Sequence, residues 1–194
     1  MSCASKRIIV AITGASGSTY AVTLLRALRN LPEVETHLVI SAWGERTLLM
    51  ETGLTPRDLE TFCAKRYDVS DMSAAISSGS FRTHGMVVVP CSMKTLGAIA
   101  NGLAADLIAR AADVTIKEGR RLILVPRETP LSLVHLENMV RCARSGAVIL
   151  PPMPAFYGRP ETIQDIVDHT VSRILDRLGF ENELSARWTG PVEA

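Results

Sequence analysis

The densest chemistry in the sequence is Pro126-Arg127-Glu128-Thr129-Pro130, where a guanidinium and a carboxylate stand side by side between prolines. An arginine fork matches phosphate oxygens, and a glutamate can carry a proton to or from a reacting group. The plainer alternative is a structural ion pair. Thr13-Gly14-Ala15-Ser16-Gly17-Ser18 adds glycines that let backbone turn tightly against a ligand, with hydroxyl donors from Thr13, Ser16 and Ser18. The plainer alternative is a Gly/Ser turn with a helix cap. Pro90-Cys91-Ser92-Met93-Lys94-Thr95 forms a second such cradle, with Ser92 at a cap position and Thr95 in the first helical turn. Pro151-Pro152-Met153-Pro154-Ala155-Phe156-Tyr157 is a stiff loop whose two aromatics could wall a ligand.

Several chemistries are disfavoured. Cys91 has no histidine near it in sequence to activate it, so it reads as a packed thiol rather than a nucleophile. The four cysteines, Cys3, Cys63, Cys91 and Cys142, show no CxxC pair and read as reduced cytosolic thiols. His37, His84, His135 and His169 have no metal-ligand spacing, so no metal is expected. The first glycine loop lacks the P-loop lysine and the G-x-G-x-x-G fingerprint. The second strand ends in Ser41-Ala42-Trp43, without the acid that holds a ribose diol. A nucleotide with one phosphate, such as FMN, fits better than a nicotinamide cofactor.

These segments need elements to position them. Continuous apolar runs bounded by turn residues suit buried parallel strands at Ile8–Ile12, Glu35–Ile40, Met86–Val89 (stopped by Pro90), Leu122–Val125 and Ala147–Leu150. Helical spacing marks Tyr20–Leu31, Glu45–Glu51, Thr95–Ala100, Leu107–Lys117, Leu131–Arg144 and Thr162–Leu178, with a further start at Pro56. Alternating strands and helices predict a doubly wound, three-layer α/β sheet of flavodoxin-like or Rossmann-like type. Ligands in such folds bind beyond the carboxyl ends of the strands, which is where the polar segments fall.

The 194 residues fit one domain, with a core over about 6–180 and a tail over about 181–194. Hydrophobic residues at 47% supply a core, and a net charge of +1 offers no footprint for nucleic acid. The first apolar stretch is too short to span a membrane, so a cytoplasmic protein is expected.

Taken in order, the motifs resemble the UbiX/Pad-type flavin prenyltransferases, once described as aromatic acid decarboxylase subunits. The resemblance runs from Ile8 to about Trp188. It rests on Thr13-Gly14-Ala15-Ser16-Gly17, Ser41, Glu51, Pro90 to Leu96, Arg110-Ala111-Ala112-Asp113-Val114, Lys117-Glu118, Pro126-Arg127-Glu128, His135-Leu136-Glu137-Asn138-Met139 and Pro154-Ala155-Phe156-Tyr157. It implies a subunit of a dodecamer that joins the dimethylallyl group of dimethylallyl phosphate to N5 and C6 of reduced FMN. The prenylated flavin would then serve a UbiD-type decarboxylase.

By position, the resemblance assigns FMN contacts to Gly14, Ala15, Ser16, Ser41, Ser92, Met93, Lys94, Thr95 and Arg127. It assigns the prenyl phosphate to Lys117, Arg127, Tyr157 and Arg173, with Glu51 beside it and Arg110 bracing the site. Ser16, Glu51 and Glu128 become the catalytic group, and Trp188 assists at the flavin face. Three cations converging on one anion, within a subunit or across neighbours, is the central expectation; they would stabilise charge on the departing phosphate without a metal. Two stretches depart from the usual pattern: Ser41-Ala42-Trp43-Gly44 replaces Ser-Lys-Ala-Ala, and Lys117-Glu118-Gly119-Arg120 replaces Lys-Glu-Arg-Arg. The competing readings are a non-catalytic FMN carrier subunit, a flavin-dependent cysteine decarboxylase, and a decarboxylase acting alone.

Overall fold

The structure, a computed structural model, describes residues 5–188 and 190. Cys3 and residues 189 and 191–194 of the expected tail lie outside the described residues. Six strands form one parallel sheet: β1 (Lys6–Ile12), β2 (Val34–Ile40), β3 (Lys65–Tyr67), β4 (Gly85–Cys91), β5 (Arg121–Pro126) and β6 (Val148–Ile149). Their spatial order is β3-β2-β1-β4-β5-β6. This is the Rossmann order, which reverses between β1 and β4 and opens a crevice at their carboxyl ends.

The β1 strand shows why the sheet must be covered twice. Ile8, Val10 and Ile12 join one core, and Ile9 and Ala11 join the other, because successive side chains point to opposite faces. The first core takes Leu24, Leu25 and Leu28 from α1 (Ser18–Arg29), Leu48 from α2 (Ala42–Thr52), Leu59 from α3 (Pro56–Leu59) and Val171, Ile174 and Leu175 from α7 (Ile163–Leu178). The second takes Leu96 from α4 (Met93–Ala100), Ala111 and Ala112 from α5 (Leu107–Lys117) and Cys142 from α6 (Leu133–Arg144). The result is the expected three-layer, doubly wound domain.

Helices α2 and α4 begin earlier than expected, at Ala42 and Met93, β6 shortens to Val148–Ile149, and two further strands differ. Strand β4 does not stop at Pro90 but continues to Cys91. Its register against β5 shifts between Val88 and Cys91, and such an irregularity is where a residue without an N–H can sit in a sheet. Strand β3 was not anticipated: Lys65-Arg66-Tyr67 is short and mostly polar, and it is a strand because β2 pairs with it at the sheet edge. No helix among the described residues is long and apolar enough to cross a membrane.

Candidate active site

The crevice at the switch point is tied together by Thr13. Its hydroxyl donates to the Pro90 carbonyl at 2.7 Å and accepts from the Ser92 N–H at 2.8 Å, so the loops after β1 and β4 are locked edge to edge. Thr13 is therefore fully engaged and buried, and it is not the ligand donor its position suggested. Ser18 is likewise fully buried, whereas Gly14 and Ser16 are exposed and Ala15 lies just beneath them. Gly14 must be glycine for a steric reason: a β-carbon there would stand 2.5 Å from Cβ of Trp43 in the first turn of α2. The Trp43 indole itself is exposed, with the Arg46 guanidinium 4.8 Å from its ring centre.

Glu51 reaches the same crevice from the far end of α2. Its carboxylate accepts the Gly17 N–H at 2.9 Å and the Ser18 N–H at 2.7 Å. Free amides and a partial positive charge at a helix start attract anions, and here an internal carboxylate takes that place at the start of α1. Gly17 adopts φ 118°, a left-handed conformation that presents both amides. Partial burial pushes the Glu51 carboxyl upward, but the Ser16 hydroxyl and the Gly17 and Ser18 amides outweigh it, and the group sits below the ordinary glutamate value.

The other cradle residues follow the carboxyl ends of β2, β4 and β5. Ser41 caps α2, its hydroxyl accepting from the Gly44 N–H at 3.0 Å. Ser92 caps α4, accepting from the Thr95 N–H at 3.3 Å, with its own hydroxyl 3.2 Å from that of Thr95. Met93 is half-buried and Lys94 exposed. Arg127 and Glu128 follow β5 on the same carboxyl edge; the Arg127 N–H donates to the Cys91 carbonyl at 3.3 Å, and both side chains are exposed. Cys91 beneath them is fully buried, and burial pushes its thiol well up, as expected of packing rather than nucleophilic sulfur.

Of the remaining expected phosphate ligands, Lys117 is not brought to this crevice by the same chain. Lys117 closes α5, four residues before β5 begins, and its ammonium pairs with Glu118 at 2.6 Å beside Gly79. Because β5 spans roughly 17 Å at about 3.3 Å per residue, Lys117 and Arg127 lie toward opposite ends of the strands. Arg110 donates to the Ser77 carbonyl at 3.1 Å and to Asp113 at 2.8 Å, so it braces the 75–77 turn. Arg173 lies in the second half of α7, exposed, 3.5 Å from Asp176. Tyr157 stands on a short turn in the proline-rich loop, edge-on to His169 and Trp188 with ring centres 5.9 and 5.4 Å apart. Within one chain Lys117 therefore does not face Arg127, and the expected convergence of the three cations would be one across neighbouring copies. Sequence inspection also overlooked the Gly17 and Ser18 amides as the seat of Glu51 and the contact of His169 with Tyr157. Only the glycine in the first case and the aromatic pair in the second were visible beforehand. Among the described residues, no group of three or more His, Cys, Asp or Glu side chains could hold a metal.

A Rossmann-order sheet with two hydroxyl-lined cradles at its switch point, without P-loop lysine or dinucleotide glycines, defines a mononucleotide-binding α/β protein. The comparisons narrow this. The family model described as Flavoprotein matches residues 2–175. Flavin prenyltransferase LpdB of Lactiplantibacillus plantarum is 54% identical over 185 residues, covering 95% of this chain and 99% of that protein. The crystal structure of AnUbiX (PadA1) in complex with FMN and dimethylallyl pyrophosphate matches with a TM-score of 0.95 at 50% identity, covering 97% of this chain and all of that one. A dodecameric FMN-dependent UbiX-like decarboxylase from Escherichia coli O157:H7 matches with a TM-score of 0.93 at 53% identity, over 95% of this chain and all of that one. The chain belongs to the flavoprotein family and, within it, to the UbiX-like flavin prenyltransferases.

Proposed function

We propose that this protein transfers a dimethylallyl group from dimethylallyl phosphate to N5 and C6 of reduced FMN, and that the product serves a UbiD-type decarboxylase in the cytoplasm. The observation that carries the reading is the crevice between β1 and β4, where Thr13 joins the loop before α1 to the Ser92 cap of α4 and Glu51 anchors the start of α1. The half-buried Ser92 hydroxyl and the exposed Lys94 ammonium would meet a flavin phosphate, and the exposed Gly14, with no side chain of its own, would give backbone access to a flat ring. Reduced FMN supplies the electron-rich N5 and C6 when bound.

The chain's own residues would do the rest. Gly14, Ala15, Ser16, Ser41, Ser92, Met93, Lys94 and Thr95 hold the flavin, together with Arg127. Arg127, joined by Lys117 and Arg173, carries the charge that builds on the phosphate as the allylic C–O bond breaks. Tyr157 adds a hydroxyl donor; ring closure would add a proton to the prenyl double bond as its tertiary carbon bonds to C6, and Glu128 would accept the proton lost there. Ser16 and Glu51 position the phosphate and relay protons near N5, with Arg110 supporting the site from α5.

Because Lys117 and Arg127 lie toward opposite ends of the strands in one chain, the complete phosphate site takes residues from neighbouring copies. Leu131, Leu133, Val134, Leu136 and Val140 are exposed along α6 and its approach, an apolar face suited to subunit contact. A dodecamer like that of the Escherichia coli relative is the proposed assembly. The test is anaerobic incubation with reduced FMN and dimethylallyl monophosphate, followed by mass analysis of the extracted flavin. A flavin heavier by one isoprene unit is expected. FMN bound but unmodified with mono- and diphosphate donors alike would leave only the carrier reading.

A further inference from the structure

Tyr157 has little to fix it locally. It is 56% exposed, it follows a loop of prolines, and its turn makes no side-chain cap. Its neighbours are two rings met edge-on: His169 at an interplanar angle of 83° and Trp188 at 71°. Edge-to-face contacts of this kind carry a preferred geometry beyond simple burial. His169 is half-buried on α7, four residues before Arg173, so both side chains project from one face of the helix a single turn apart. Two surface hollows meet at His169. One, of about 200 Å³, is lined by Tyr157, Arg159 and Asp165; the other is lined by Met153, Thr170 and Arg173.

The geometry points to His169 as a positioning residue that holds the Tyr157 ring in register with the Arg173 guanidinium, so that the two meet one phosphate together. This rests on the reading that Tyr157 and Arg173 hold the prenyl phosphate. Helix α7 supplies the guanidinium directly and, through the imidazole edge, the placement of the phenol. Trp188 meets the same ring at 5.4 Å, which couples the chain beyond α7 to that placement.

The test compares His169→Ala with His169→Phe in the full-length protein. Loss of one aromatic edge contact is expected to raise KM for dimethylallyl phosphate about threefold to tenfold. The kcat and the FMN dissociation constant should stay within about twofold, since neither requires a new group at the reacting atoms. Phe, which keeps the ring edge without the nitrogens, should restore KM. The chain has two tryptophans, so in a Trp43→Phe background the emission of Trp188 reports its edge contact with Tyr157. That emission should shift in His169→Ala and return with His169→Phe. A wild-type KM in His169→Ala overturns the assignment, as does a Phe variant impaired as badly as Ala. Absence of any prenylated flavin from the wild type would instead sink the functional reading. In that event an unshifted Trp188 emission in His169→Ala would still refute the bracing.

Discussion

Replacing Glu51 with Gln isolates what its charge does at the start of α1. The carboxylate takes two amides, Gly17 N–H at 2.9 Å and Ser18 N–H at 2.7 Å, and glutamine retains an oxygen in nearly the same place. What is lost is the negative charge facing a helix N-terminus, about 0.3–1 kcal/mol where solvent has access. The gap between charged and neutral hydrogen bonds, of order 1 kcal/mol, adds to it before discounting for the exposed side of the group. A total of about 1 kcal/mol corresponds to a fall in Tm of roughly 2–4 °C for a chain of this size. The sign with pH follows from the lowered carboxyl. A folded-state pKa below the unfolded value of about 4.3 gives stability that is present above that value and lost as pH falls through the folded pKa. Calorimetry from pH 7 down to pH 3 should therefore show the wild type losing its advantage over Glu51→Gln only below about pH 4.5. An advantage that persists unchanged in acid, or none at pH 7, would refute the claim that Glu51 is an ionised anchor for these amides.

Thr13→Val keeps the shape of the side chain but leaves the Pro90 carbonyl and the Ser92 N–H without their partner; about 1–3 kcal/mol of stability should disappear, with no pH dependence, in urea titration. Gly14→Ala forces its methyl into Cβ of Trp43, so the loop must shift, and FMN affinity measured by fluorescence titration should fall at least tenfold. Glu128→Gln should slow formation of prenylated flavin roughly a hundredfold while FMN binds with unchanged affinity.

Much of the fold was legible because its signals are local. Apolar runs such as Ile8–Ile12 and Leu122–Val125 encode buried parallel strands, and the spacing of α5 matched its bounds at Leu107 and Lys117. The cap residue Ser92 announced one helix start for the same reason, whereas Ser41 caps a helix that begins at Ala42 rather than at the expected Glu45. The polar segments after the strands could be placed at the carboxyl edge from topology alone, and the family followed from their order along the chain.

What the chain folded into decided the rest, because it depends on partners distant in sequence. Lys65–Tyr67 is a strand only through β2, and Pro90 stays in the sheet only through the register of β4 against β5. The Glu51 carboxylate meets amides 33 and 34 residues away, and Thr13 meets Pro90 across 77. Most consequential is the separation of Lys117 from Arg127. Ten positions apart in sequence, they are divided by the full length of a strand, since an α/β unit returns its helix ends to the end of the strands opposite its ligand loops. Linear order lists the charges; the direction of each element determines which of them can face the same anion.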